Sequence, residues 1–309
     1  MCSSMDEIVV SVICLTYNQA DTIRDALEGF LAQRAPFRFE LLVHDDASTD
    51  GTADIVRDYE QRFPELIRGV YQTENQFSKG VFIAREFLWP LVRGRYVALC
   101  EGDDYWTDPH KLEKQVAALE AHPEVDICAH RALKLTGGQP HGYVAPRLRD
   151  ALIPVEDVIV GGGNFVATAS LFCRTEAYRA WTPLRQALPN DYSLQIQGAL
   201  RGGMLYLHDC MSVYRTDAPG SWTRSHGRLL DAPTRKLVGE MLDAADAWTE
   251  GRYHRAVVLR KRYFDSNALL AERRYAALFA PREIGITLRR AFRSISNAFR
   301  KLCLTAARS

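Results

Sequence analysis

Four short strand-like runs, residues 8–15, 39–44, 67–71 and 96–100, alternate with helical patterns at roughly 30-residue intervals. The first, IVVSVICL, is β-branched and continuously apolar, which suits a strand buried on both faces. Residues 21–33, 52–63, 82–92 and 111–121 carry the helices between and after them. Such alternation predicts a parallel, doubly wound α/β sheet, because a parallel strand is reached only through a crossover. In open sheets of this kind, ligands sit beyond the carboxyl ends of the strands. Polar clusters stand there at Tyr17-Asn18, Asp45-Asp46 and Asp103-Asp104, which predicts one shared site.

The pattern loosens after residue 130. Residues 136–150 are rich in Gly and Pro and read as a loop, and 165–173 read as a strand. Helices are expected at 176–188 and 191–200, a strand at 204–208, and a short extended piece at 211–214. From 227 onward the chain reads as helical. The seven cysteines are scattered and form no C-x-x-C pair, so reduced, mostly buried thiols are expected, with neither a zinc site nor a disulfide frame. No run of 18 apolar residues occurs, and residues 1–20 lack the pattern of a signal peptide, so a cytoplasmic location is expected.

The segment EGDDYW, residues 101–106, is the most informative. Adjacent carboxylates repel one another, and a hard divalent cation shared with a diphosphate would neutralise them. A solvated acidic turn is the competing reading. In DDASTDG, residues 45–51, Ser48, Thr49 or Asp50 could simply cap a helix. Capping leaves the double acid unexplained, whereas a carboxylate can accept a hydrogen bond from the N–H of a base such as uracil. In Thr16-Tyr17-Asn18, Tyr17 could stack on a nucleobase or merely pack.

Taken together, VSVICLTYNQADTI, FELLVHDDASTDGT, GRYVALCEGDDYWTDPHKLEKQ and MSVYRTDAPGSW resemble the inverting glycosyltransferases of family 2, which have the GT-A fold, among them enzymes of bacterial surface polysaccharides. The resemblance runs from about residue 10 to 222. It implies a Rossmann-like, mostly parallel central sheet with a C-terminal helical extension. The catalytic domain would span 1–226, with a nucleotide-binding half at 1–130 and an acceptor-binding half at 131–226, and the extension would span 227–309. It also implies that Thr16, Tyr17, Asp45 and Asp46 hold the nucleotide, with Asp46 on the base, that Asp103 touches the ribose, and that Asp104 binds Mn²⁺ or Mg²⁺. Glu101 would contribute indirectly. Asp191 matches the family's general base, although its place before a helix also suits a cap or a first-turn acid. The donor would be a nucleotide sugar, UDP-linked, and the acceptor a hydroxyl of a glycan or lipid-linked glycan.

One departure stands out. Relatives carry a His two residues after the Arg of the Tyr214-Arg215 segment, and here that position is Asp217. His208 and His226 are the nearest substitutes in sequence. Arg85 and Lys79 lie where a cation could reach phosphate, but solvated surface is the plainer reading.

Net charge is +1, yet residues 252–309 hold 14 Lys/Arg against three acids. Residues 282–302 place Ile284, Leu288, Phe292, Ile295, Phe299 and Leu302 on one helical stripe among basic residues. That pattern suits an anionic membrane surface, at the inner face of the plasma membrane, and equally a helix packed on the acidic body of the chain or on a partner subunit. No groove-reading motif accompanies the charge, so no nucleic-acid partner is expected. Two further readings compete: a non-catalytic nucleotide-sugar-binding scaffold, and a sugar-phosphate nucleotidyltransferase. Against the latter, residues 16–20 contain no Gly, Lys or Arg.

Overall fold

The computed structural model describes residues 7–217 and 232–271, with side chains to 265. In chain order the elements are β1 (Ile8–Thr16), α1 (Ile23–Leu31), β2 (Arg38–Asp45), α2 (Thr52–Arg62), β3 (Ile67–Tyr71), β4 (Tyr96–Leu99), β5 (Tyr105–Trp106), α3 (Lys111–Ala121), β6 (Ile127–Thr136), β7 (Gln139–Val144) and β8 (Ala151–Ile153). Then come α4 (Val155–Gly161), β9 (Phe172–Arg174), α5 (Thr175–Arg179), α6 (Pro183–Ala187), α7 (Asp191–Ala199), β10 (Met204–Arg215), α8 (Ala232–Trp248) and α9 (His254–Ala271).

The strands form one sheet in the order β3-β2-β1-β4-β9-β6-β10-β5, with β7 paired to β6 and β8 to β10. The first four are parallel. Beyond them β9 runs antiparallel to both β4 and β6, and β6 and β10 are parallel again.

The period-2 alternation of the buried strands divides the core between the two faces. Val10, Val12 and Cys14 of β1 share one apolar cluster with Leu41 and Val43 of β2, Ala98 of β4, and the inner faces of α1, α2 and α3. Ile13, Leu42 and Val97, the alternating neighbours, join the other cluster with α4, α6 and α7. Val238, Met241 and Leu242 of α8 and Val257 and Phe264 of α9 belong to that second cluster, so the described part of the C-terminal region packs on the body of the chain. Among the described residues no helix is long and apolar enough to cross a membrane. The basic stripe at 282–302 lies outside them.

Several elements differ from the sequence expectation. Residues 139–144, expected as loop, form β7, because Gly137 and Gly138 adopt φ of 58° and 72° and turn β6 back on itself. The helix expected at 82–92 is a π turn (Ala84–Leu88) followed by a 3-10 turn (Trp89–Leu91) containing Pro90. Pro183 likewise divides the helix expected at 176–188 into α5 and α6. Only the end of 165–173 is extended, after 3-10 turns at Gly163–Phe165 and Thr168–Ser170. The pieces at 204–208 and 211–214 are one strand, with register shifts between Leu207 and Ser212. Cys14, Cys100, Cys128 and Cys173 are free and buried, as expected.

Candidate active site

Thr16 pairs with Asp45 in the β1–β2 register, so both strands end at the same level. From there two loops are laced together. The Asn18 N–H donates to Ser48 Oγ at 2.9 Å, Gln19 N–H to Thr52 Oγ1 at 2.8 Å, and Ala20 N–H to Asp50 Oδ2 at 2.9 Å. In return Thr49 N–H donates to Asn18 Oδ1 at 2.8 Å. The hydroxyls and carboxylates of the STDGT segment therefore join two loops rather than only capping α2. Asn18 and Ala47 take positive φ to allow it.

The two strand-end acids are both buried and do different things. Asp46 accepts from Gln76 N–H at 2.8 Å and Phe77 N–H at 3.0 Å, one on each carboxylate oxygen. Asp45 accepts from Ser48 N–H through Oδ2, while its buried Oδ1 has no hydrogen-bond partner among the described residues. Tyr17, on the loop beside them, is 44% exposed.

β4 adjoins β1 on the side away from β2, and the Glu101–Asp104 loop leaves from its end. Gly102 N–H bonds to Leu15 O at 3.0 Å. A Cβ on Gly102 would lie 2.8 Å from Thr16 Oγ1 and 2.5 Å from Gln19 Oε1, so any side chain here would push both aside. Asp103 and Asp104 are buried, and burial pushes both carboxyls up. Repulsion from Asp103 adds to the effect on Asp104. Glu101 reaches solvent at the mouth of the cluster. Even so, the surrounding protein, then Asp103 and Asp191, push its carboxyl up to about 8. Trp106 anchors the loop from below by donating Nε1–H to Ala169 O at 3.0 Å.

Asp191 opens α7 but does not cap it. Asn190 is the cap, accepting from Ser193 N–H at 2.9 Å in a reciprocal capping box. Asp191 Oδ1 accepts from Tyr192 N–H at 2.8 Å, and Oδ2 lies 3.4 Å from the Thr168 hydroxyl. Burial raises its carboxyl to about 6. Asp191 repels the Glu101 carboxylate, so the base candidate and the acidic loop feel one another electrostatically.

Arg215, at the end of β10, is the residue whose role here sequence reasoning missed. Its N–H donates to Asp104 Oδ1 at 2.8 Å, and its Nη1 donates to Asp103 O at 2.9 Å. Its Nη2 meets Asp25 on α1, and its guanidinium lies 4.6 Å from the Tyr105 ring centroid. An Arg closing a strand beside an acidic loop was the available signal. Asp217, the departure noted above, accepts from Gly137 N–H at the β6–β7 turn, 2.5 Å away. His208 sits seven strand residues before Arg215 and bonds to Arg131 at 3.2 Å, while His226 lies outside the described residues. Lys79 pairs with Glu74, and Arg85 lies over Trp181.

Among the described residues, no three His, Cys, Asp or Glu side chains close around a common metal position. The donor set fits a different arrangement. Buried hard oxygens with surplus negative charge suit a divalent cation that shares its coordination with a ligand's phosphates.

The family model described as "Glycosyl transferase family 2" matches residues 11–145, which contain both acidic loops. An uncharacterized protein of Mycobacterium tuberculosis is 35% identical over 283 residues, covering 81% of this chain and 79% of the relative. The chain belongs to glycosyltransferase family 2. A second relative of this glycosyltransferase is WfaP of Escherichia coli, a UDP-Glc:α-D-GlcNAc-diphosphoundecaprenol β-1,3-glucosyltransferase. It is 33% identical over 112 residues, 36% of this chain and 41% of WfaP. Among solved structures, TarS of S. aureus in complex with UDP-GlcNAc aligns with a TM-score of 0.62 at 16% identity, over 85% of this chain and 73% of that one. The mannosyltransferase PcManGT of Pyrobaculum calidifontis, in complex with GDP-Man and Mn²⁺, aligns at 0.57 and 19% identity, over 95% and 82%. These likenesses give the glycosyltransferase its GT-A fold. The family match ends at residue 145, so Asp191 and Arg215 lie beyond it.

Proposed function

We propose that this glycosyltransferase moves a sugar from a UDP-sugar to a hydroxyl of a glycan or lipid-linked acceptor, with inversion and with a divalent cation. The observation that carries the reading is Asp191. Its charge is felt by Glu101 of the acidic loop, it is not the helix cap, and burial raises its carboxyl to about 6. A base of that strength is mostly ionised at neutral pH and still takes a proton readily. The acceptor oxygen attacks the anomeric carbon while its proton passes to Asp191. The bond from that carbon to the diphosphate oxygen breaks on the opposite side, so configuration inverts.

The other residues bind and orient. Tyr17 lies on one face of the base, and Thr16 lines the floor. Asp45, with its unpartnered Oδ1, is better placed than Asp46 to accept a base N–H. Asp103 takes the ribose hydroxyls, and Asp104 would hold Mn²⁺ or Mg²⁺, which offsets charge on the departing diphosphate. A UDP donor and lipid-linked acceptor are supported by what the name of WfaP states for that enzyme. A cation is supported by the Mn²⁺ in the PcManGT complex. The donor half is assigned to residues 1–130, the acceptor half to 131–226, and membrane-surface attachment to the basic stripe at 282–302.

Incubation with a panel of UDP- and GDP-sugars plus Mn²⁺, with release of nucleoside diphosphate as the readout, tests the proposal. Release that depends on Mn²⁺ and falls in Asp191→Asn supports it. Binding without release, unchanged in Asp191→Asn, points to the scaffold reading.

A further inference from the structure

Phe77 is 68% exposed, the most exposed of the large apolar side chains among the described residues. An exposed ring is ordinary on a loose loop, but Phe77 stands on a fixed one. Both Asp46 carboxylate oxygens hold its backbone, through Gln76 N–H and Phe77 N–H. Asn75 Nδ2 donates to Asp46 O at 3.2 Å, and Ser78 N–H donates to Asn75 Oδ1 at 2.8 Å. Gly80, with φ of 75°, closes the 3-10 turn by donating to Phe77 O at 2.9 Å. Five hydrogen bonds thus hold a turn whose apolar side chain is left in water.

The same Asp46 fixes the opposite loop. Its N–H donates to Thr16 O at 3.1 Å, and Tyr17 is the next residue. Tyr17 follows β1 and Phe77 follows β3, the two neighbours of β2 in the sheet, and β2 ends in Asp45. Loops leaving strands two positions apart start roughly 10 Å from each other, at about 4.8 Å per strand. A flat ring in van der Waals contact on both faces needs about 7–8 Å between its neighbours. The strand between β1 and β3, β2, ends in Asp45, whose buried Oδ1 has no hydrogen-bond partner among the described residues.

We propose that Phe77 is the second aromatic wall of the nucleobase site, closing it from the β3 side as Tyr17 does from the β1 side, with Asp45 as the acceptor between them for a ring N–H. The inference rests on the donor being a nucleotide sugar and names which residues sort its base. Asp46 then acts as a positioning residue that sets the gap between the two walls.

The test is titration calorimetry of UDP with Mn²⁺ on the full chain as wild type, Phe77→Ala, Phe77→Trp and Tyr17→Ala, with inorganic pyrophosphate plus Mn²⁺ as the probe lacking a base. Phe77→Ala should weaken UDP by about 5- to 100-fold, the usual yield of one stacked base. It should leave pyrophosphate affinity and the ligand-free melting temperature unchanged. Phe77→Trp should restore UDP binding, with quenching of the new indole. UDP affinity within twofold of wild type in Phe77→Ala overturns the inference, as does a loss confined to the KM of the acceptor. If the wild type binds pyrophosphate and no nucleotide, both this inference and the proposed function fail. Loss in the variant alone would separate the two.

Discussion

The backbone N–H of Arg215 donates to Asp104 Oδ1 at 2.8 Å, across 111 residues of sequence. The end of β10 thereby orients one acid of the loop that leaves β4. The Arg215 side chain reinforces the link through the Asp103 carbonyl, Asp25 and the Tyr105 ring. Substitution Arg215→Ala removes those three contacts but keeps the backbone bond. It should cost about 1–3 kcal/mol in urea denaturation and raise the KM for the donor. Arg215→Lys should recover only part of the loss, because a lysine cannot reproduce the fork that reaches Asp103 and Asp25 together.

The proposed base, Asp191, must be ionised to accept a proton, and burial raises its carboxyl to about 6. The pH profile of kcat/KM, which reports the free enzyme, should therefore rise between pH 5 and pH 7 with a midpoint near 6. Asp191→Asn should lower kcat by about 10²–10⁴-fold and abolish that limb of the profile. Donor binding, followed by calorimetry, should stay within a few-fold of wild type.

Asp103, Asp104 and Asp191 all have carboxyls raised by burial. A raised carboxyl binds its proton more tightly in the folded chain than in the unfolded one. Its contribution is complete below the ordinary carboxylate range and is lost as pH rises through the raised value. The ligand-free protein should melt at a lower temperature at pH 7.5 than at pH 5.5. Mn²⁺ with UDP should reverse the trend, and Asp104→Asn should flatten it.

Arg185, on α6, is buried among Phe82, Trp89 and Tyr178, and its Nε and Nη1 have no hydrogen-bond partner. Among the described residues no acid is paired with it, so replacement leaves no orphaned charge there. Arg185→Met should be neutral or stabilising by up to about 2 kcal/mol in chemical denaturation. A loss above that size would mean that the aromatic box contributes more than its apolar contacts.

The first four strands and α1 to α3 were legible in sequence because the strands are short, mostly apolar runs between turn signals and each helix shows one apolar stripe. Residues 67–71 and 111–121 agree with the structure to the residue. Past residue 130 the signals mix. β6 carries His130, Arg131 and Lys134 within its run and gave no clear period. The Gly137-Gly138 pair that read as loop is the turn of a hairpin. In the site, the acids at 45–46 and 103–104 are visible as strand-end clusters. The division of labour between Asp45 and Asp46 is not, because it depends on which backbone N–H groups a loop 30 residues later presents. Asp191 could be read as a cap until Asn190 was seen to fill that place.

The sheet runs unbroken from β3, through β4, β9 and β6, to β10 and β5. Strands drawn from Ile8 to Arg215 are hydrogen-bonded into one plate, which cannot bend about a hinge without tearing its own ladder. Any closing motion over the substrates is therefore left to the rim loops. Those loops can be lengthened, shortened or exchanged at little cost to the plate beneath. A lineage built this way is free to change the molecule it decorates while keeping the chemistry of the sugar it delivers.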